Sequence, residues 1–184
     1  FGAFYGASSL NSINIPANVT SIGANAFYQA TNLETVTFEA GSQLTTIGDL
    51  VFQYATSLTS INIPATVISI GDQAFEGASD LETVTFEEGS QLTSIGKKAF
   101  YGATGLTSIT IPEGVTSIGE YAFQFAESLT SVTFEAGSQL TSIGYGAFYG
   151  ASSLTSINIP ASVTSIGEYA FYGASSLSSI TIPS

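Results

Sequence analysis

Apolar positions recur along the chain with a regular beat. A leucine opens each unit, at Leu10, Leu33, Leu58, Leu81, Leu106, Leu129, Leu154 and Leu177. The intervals are 23, 25, 23, 25, 23, 25 and 23 residues, so the true period is a 48-residue pair of coils. A period of this length signals a repeat architecture. Each unit starts as Leu-x-x-Ile-x-Ile (Leu10, Ile13, Ile15) or Leu-x-x-Val-x-Phe (Leu33, Val36, Phe38). Period-two alternation with β-branched residues predicts a strand. A turn follows, beginning at Pro16 in the short unit and at Glu39 in the long one. A second extended segment comes next, Val19 to Ile22 or Leu44 to Ile47. The unit closes with Gly-x-x-Ala-Phe-x-x-Ala, as in Gly23 to Ala30, which reads as a helical turn too short to stand alone.

No single coil can bury its own apolar face, so the coils must stack into a solenoid. Stacking predicts inward columns: the leucines, a phenylalanine column from Phe27 to Phe171, and a small-residue column from Ala30 to Ala174. Short coils place Ile-x-Ile where long coils place Val-x-Phe, as in Ile61, Ile63 against Val84, Phe86. The expectation is that Phe fills volume opened by the two extra residues, so that Phe86→Ile leaves a cavity costing about 1–3 kcal/mol. The glycine column (Gly23, Gly48, Gly71, Gly96, Gly119, Gly144, Gly167) suits either a positive φ or a close backbone contact.

Ile111 to Ala126 reads IPEGVTSIGEYAFQFA, and Leu129 opens the next unit. This pattern resembles the BspA-like, or Treponema pallidum-type, leucine-rich repeat. The likeness covers essentially the whole chain. One departure is systematic: the family often has Cys where this chain has the Ala30 column, and alanine keeps that site small and apolar. The resemblance implies a β-rich α/β solenoid, a right-handed leucine-rich-repeat superhelix of about eight coils with its parallel sheet on the concave face. It also implies a surface-exposed or secreted protein associated with adhesion to host proteins, cells or other microbes. Residues 1–184 form one such solenoid. The chain starts inside a turn at Phe1 and stops after a strand at Ser184, so a fragment of a longer array is expected.

Composition narrows the chemistry. The 184 residues hold 14 acidic side chains against two Lys+Arg, and neither His nor Cys, for a net charge of −12. Without His or Cys there is no Ser-His-Asp triad, no Cys nucleophile and no N- or S-ligated metal site. So few cations cannot neutralise a phosphate backbone, which argues against nucleic acid. No run is long and apolar enough to predict membrane insertion. Glu39, Glu87 and Glu135 recur every second coil, about 10 Å apart, too far for shared calcium ligation. Turn carboxylates on a smooth rod lack the cleft a glycosidase needs. We therefore expect no enzyme, no cofactor and no metal. Asn18-Val19-Thr20 fits an N-glycosylation sequon but occurs in one coil alone, where chance accounts for it.

The outward strand positions form two polar columns. One runs Ser12, Thr35, Ser60, Thr83, Ser108, Ser131, Ser156; the other runs Asn14, Thr37, Asn62, Thr85, Thr110, Thr133, Asn158. In leucine-rich repeats this is the face where partners dock. Hydroxyls and amides here suit protein or glycan hydrogen bonding, and they equally suit plain solvated strands. A second candidate is aromatic: Tyr101, Tyr149 and Tyr172 follow the column phenylalanine, while Tyr121, Tyr145 and Tyr169 follow the glycine. These rings offer stacking area with a hydroxyl, or simply pack over the convex face. Lys97 falls between Asp72 and Glu120, an exposed charge ladder assigned to solubility and register.

The leading expectation is a non-catalytic binding or adhesion module, extracellular or on a cell surface, that engages a protein or glycan. The main alternative is a filament or spacer built by end-to-end self-association. Repeats this uniform also fit a consensus-like engineered scaffold without a ligand. The Thr-x-Thr pairs fit ice binding less well, because the columns mix Ser, Thr and Asn.

Overall fold

The computed structural model describes residues 1–182, so the expected end of the array at Ser184 lies outside them. In chain order the strands are β1 (Ser12–Ile15), β2 (Ser21–Ile22), β3 (Thr35–Phe38), β4 (Thr46–Ile47), β5 (Ser60–Ile63), β6 (Ser69–Ile70), β7 (Thr83–Phe86), β8 (Ser94–Ile95), β9 (Ser108–Ile111), β10 (Ser117–Ile118), β11 (Ser131–Phe134), β12 (Ser142–Ile143), β13 (Ser156–Asn158), β14 (Ser165–Ile166) and β15 (Ser179–Thr181). Odd-numbered strands form one eight-stranded sheet, and even-numbered strands form a seven-stranded sheet. Their pairings are parallel, for example β1 with β3 and β2 with β4. Each coil carries the chain around and returns it one strand further along, which is the crossover a parallel pair needs.

The fold is the leucine-rich-repeat solenoid, with two corrections. The stack has about seven closed turns rather than eight, because the eighth leucine opens a unit of which only β15 is described. It is not α/β either, since the Gly23–Ala30 segment forms no helix. Backbone N–H groups there alternate between two partners. Those of Ala26, Tyr28 and Ala30 donate three residues back, at 3.2, 3.2 and 3.0 Å. Those of Asn25, Phe27 and Gln29 donate to Asp49, Val51 and Gln53 in the next coil, at 3.0, 2.9 and 2.8 Å. A lone helical turn costs more to nucleate than it returns, and the neighbouring coil offers a carbonyl to alternate donors instead. The price is a left-handed backbone at Asn25 (φ 59°) and Gln29 (φ 56°), repeated in later coils at Leu50, Tyr54 and Gly77.

The core runs the length of the stack. Leu33 to Leu154 of the leucine column and Ala30 to Ala151 of the alanine column are fully enclosed. The phenylalanines form one continuous stack, extended by Phe4, with ring centroids 5.0–5.4 Å apart and planes within 17° of parallel. The glycine column resolves to close contact. None of its members has positive φ, and a Cβ on Gly119 would lie 2.6 Å from the carbonyl carbon of Gly96.

Candidate binding surface

The polar columns stand outward on the eight-stranded sheet. Ser12, Asn14, Thr35, Thr37, Ser60, Asn62, Thr83, Thr85, Ser108, Thr110, Thr133, Ser156 and Asn158 are exposed, and Ser131 is half-buried. Alternation along each strand places them there, because Ile61, Val84 or Ile109 between them points into the core.

The sheet is not uniform. β1 with β3, β5 with β7, and β9 with β11 pair along four residues. β3 meets β5 only at Thr35–Ser60, and β7 meets β9 only at Thr83–Ser108. β11 and β13 share two pairs. The long-coil turn carries two more residues than the short-coil turn after it, so the two strands leave the ladder on different paths. Side-chain bonds follow the same pairing. The Thr37 hydroxyl donates to the Asn14 carbonyl oxygen at 3.0 Å, and Thr85 donates to Asn62 at 2.9 Å. The Thr110 and Thr133 hydroxyls hydrogen-bond to each other at 2.8 Å. Each of these bonds joins a short coil to the long coil after it.

A cleft opens at each splay. Between β3 and β5 it is lined by Thr37, Phe38, Asn62 and Glu87. Between β7 and β9 the equivalent space, about 320 Å³, is lined by Thr85, Phe86, Thr110 and Glu135. Between β11 and β13 the space sits nearer the turns, lined by Phe134 and Asn158 together with Gly137, Ser138, Pro160 and Ser162. Phe38, Phe86 and Phe134 pack on the core yet remain half-buried, whereas Ile63 and Ile111 at the matching positions are fully enclosed. The expectation that these rings fill interior volume is thus only half met: one side of each ring faces the cleft. The clefts were not anticipated. Their signal in the sequence was the insertion itself, coupled in every second coil to Phe in place of Ile.

The recurrent glutamates are held rather than loose. Glu39, Glu87 and Glu135 each accept a backbone N–H from the preceding short coil, at Ala17 (3.0 Å), Ala65 (3.1 Å) and Glu113 (3.0 Å). Glu39 also accepts from the Asn14 amide at 3.1 Å.

The tyrosines lie on the turn face, away from this sheet. The structure brings them into two rows. Tyr121, Tyr145 and Tyr169 meet edge to face at 5.2 and 5.5 Å. Tyr101 and Tyr149 flank Phe125 at 5.7 Å each, and Tyr172 stacks on Tyr149 at 5.0 Å. Tyr169 and Tyr172 join the rows and are more than half exposed. Burial, reinforced by neighbouring Tyr121, raises the Tyr145 phenol above its ordinary value. Tyr121 lies over Gly146 and Phe125 over Gly150, where a Cβ would be 2.8 and 2.6 Å from the ring. Much of each ring therefore packs on its neighbours.

Comparison with known proteins settles the family. The model of the BspA type leucine rich repeat region matches residues 1–103 and 93–184, in six copies. The chain belongs to this family. This chain also resembles solved structures. The pneumococcal vaccine antigen PcpA shares 26% identity with a TM-score of 0.74, over 94% of this chain and 51% of that one. A leucine rich cell surface protein from Faecalibacterium prausnitzii shares 34% identity with a TM-score of 0.58, over 92% and 47%. A leucine-rich repeat protein from Eubacterium ventriosum shares 27% identity with a TM-score of 0.68, over 95% and 49%. The chain thus spans about half the length of these proteins. No curated protein sequence matches it. Among the described residues, no helix is long and apolar enough to cross a membrane.

Proposed function

We propose that this BspA-type solenoid is a non-catalytic binding module of a surface-exposed or secreted protein, and that its eight-stranded sheet engages a protein or glycan. The carrying observation is the pair of hydroxyl and amide columns, exposed at nearly every position along one face over a rigid apolar core. The Faecalibacterium relative's description as a cell surface protein supports the location. A regular polar face can supply many hydrogen bonds without loop ordering, which lowers the entropic cost of binding. The test is a panel of matrix proteins and glycans probed with Ser60→Lys and Ser156→Lys, which alter exposed positions and leave the core intact. Loss of a partner with unchanged circular dichroism supports the reading. A partner indifferent to both variants, and lost instead on Tyr169→Ala or Tyr172→Ala, moves the site to the turn face.

A further inference from the structure

We infer that the clefts of the eight-stranded sheet are a ruler for a basic, proline-rich peptide in the polyproline II conformation, lying along the solenoid axis with every third residue seated in a cleft. This rests on the reading of that sheet as the binding face.

The first argument is spacing. The clefts recur every two coils, which at about 4.8 Å per strand, the spacing held at the paired strand starts, is about 9.6 Å. A polyproline II helix has three residues per turn and rises about 3.1 Å per residue, so one face repeats every ~9.3 Å. Across the β3/β5, β7/β9 and β11/β13 clefts the mismatch accumulates to only ~0.6 Å. An extended strand shows one face every second residue, at about 6.7 Å, and falls out of step at once. An α-helix shows one face every seven residues, at about 10.5 Å, which is less well matched.

The second argument is the lining. Each cleft presents the exposed side of a phenylalanine: Phe38, Phe86 or Phe134. Aromatic-lined grooves receive proline rings, and the polyproline backbone has no internal hydrogen bonds, so its carbonyls need donors. Asn62 spends its carbonyl oxygen on Thr85, and among the described residues its amide N–H groups have no partner. An α-helix, with its carbonyls already satisfied, would leave such donors idle.

The third argument is charge. Glu39, Glu87, Glu88, Glu113 and Glu135 border the strand ends where the clefts open. Glu87 and Glu135 each commit one carboxylate oxygen to a backbone N–H and keep the other for a ligand. Both lysines lie elsewhere: Lys97 pairs with Glu120, and the Lys98 ammonium sits over the Tyr101 ring at 5.1 Å. The face thus complements a cationic chain.

The test is titration of the chain with a synthetic peptide of repeated Pro-Pro-Lys triplets, followed by fluorescence anisotropy. The controls are a peptide of the same composition with irregular lysine spacing, Pro-Pro-Glu triplets, and neutral oligosaccharides. The regular peptide is expected to bind about tenfold tighter than the irregular one. Phe86→Leu, which keeps the core contact but removes the ring, should weaken it by about tenfold, as loss of an aromatic contact does. Glu87→Gln should weaken it and flatten its salt dependence. Equal binding of regular and irregular peptides, no binding of either, or indifference to Phe86→Leu and Glu87→Gln overturns the inference. An oligosaccharide bound in place of the peptide, and lost in the same variants, overturns the occupant. A matrix protein lost on Ser60→Lys but untouched by the cleft variants sinks this inference and leaves the binding-module reading standing.

Discussion

The two sheets of the solenoid meet the same 23/25 alternation in opposite ways. The seven-stranded sheet keeps one register throughout, two residues per strand, from Ser21–Thr46 to Ser142–Ser165. The eight-stranded sheet pairs along four residues within each short-to-long pair and, in the same register, along only one or two at the next step. The extra residues fall between the two strands of a long coil, so one sheet absorbs them and the other does not register them. Coil cohesion therefore resides in the short strands, the turn ladder and the phenylalanine stack. The longer strands are left free to open gaps without loosening the core.

Removing a ring from the stack is the most severe way to break that division. Phe100 is fully enclosed, with Phe75 and Phe123 at 5.2 Å on either side. Phe100→Ala should cost about 4 kcal/mol, read as a lowered midpoint in chemical denaturation. If Phe86→Ala at the cleft costs as much, the two faces do not differ as argued. Next in size is Gly119→Ala. Its Cβ would meet backbone of the previous coil at 2.6 Å, which side-chain rotation cannot relieve, so about 2 kcal/mol is expected. A neutral result would mean that neighbouring coils can separate without cost.

Phe86→Ile sharpens the comparison. A cavity inside the core would cost about 1–3 kcal/mol. Because Phe86 is half-buried and already borders a cleft, the lost volume joins solvent, and the expected cost falls below about 1 kcal/mol. A larger loss would return the ring to the interior.

The leucine, phenylalanine, alanine and glycine columns, and the outward Ser/Thr/Asn columns, were all legible in the sequence, because a repeated residue at constant spacing has one place in a stack. The turn segment was not. Gly23 to Ala30 has helix-like apolar spacing, and only the neighbouring coil, three-dimensional information, supplies the carbonyls that draw alternate N–H groups out of it. The clefts were half legible. Alternating Ile and Phe at the strand end could be read, but whether the larger ring turns inward or lines a gap depends on how two unequal turns diverge.

The smallest expected effect concerns the charge ladder on the turn face. Lys97 meets Glu120 at 2.8 Å, and both side chains are about half exposed. The hydrogen bond to Glu120, then its charge, raises the Lys97 ammonium above its ordinary value. A raised lysine favours the folded state while the group is protonated, so any contribution is complete at neutral pH and fades as pH climbs through the raised value. Exposure and salt screen such a pair heavily. Asp72 does different work: its carboxylate accepts the Lys97 backbone N–H at 2.7 Å, as Asp49 accepts that of Asp72 at 2.9 Å. Lys97→Ala leaves those backbone bonds in place, whereas Asp72→Ala leaves the Lys97 N–H without its acceptor. Thermal melts at neutral pH should therefore order the variants with Asp72→Ala below Lys97→Ala, and Lys97→Ala level with the parent. The reverse order would mean that the ammonium–carboxylate pair, rather than carboxylate-to-backbone bonding, holds this edge of the coils in register.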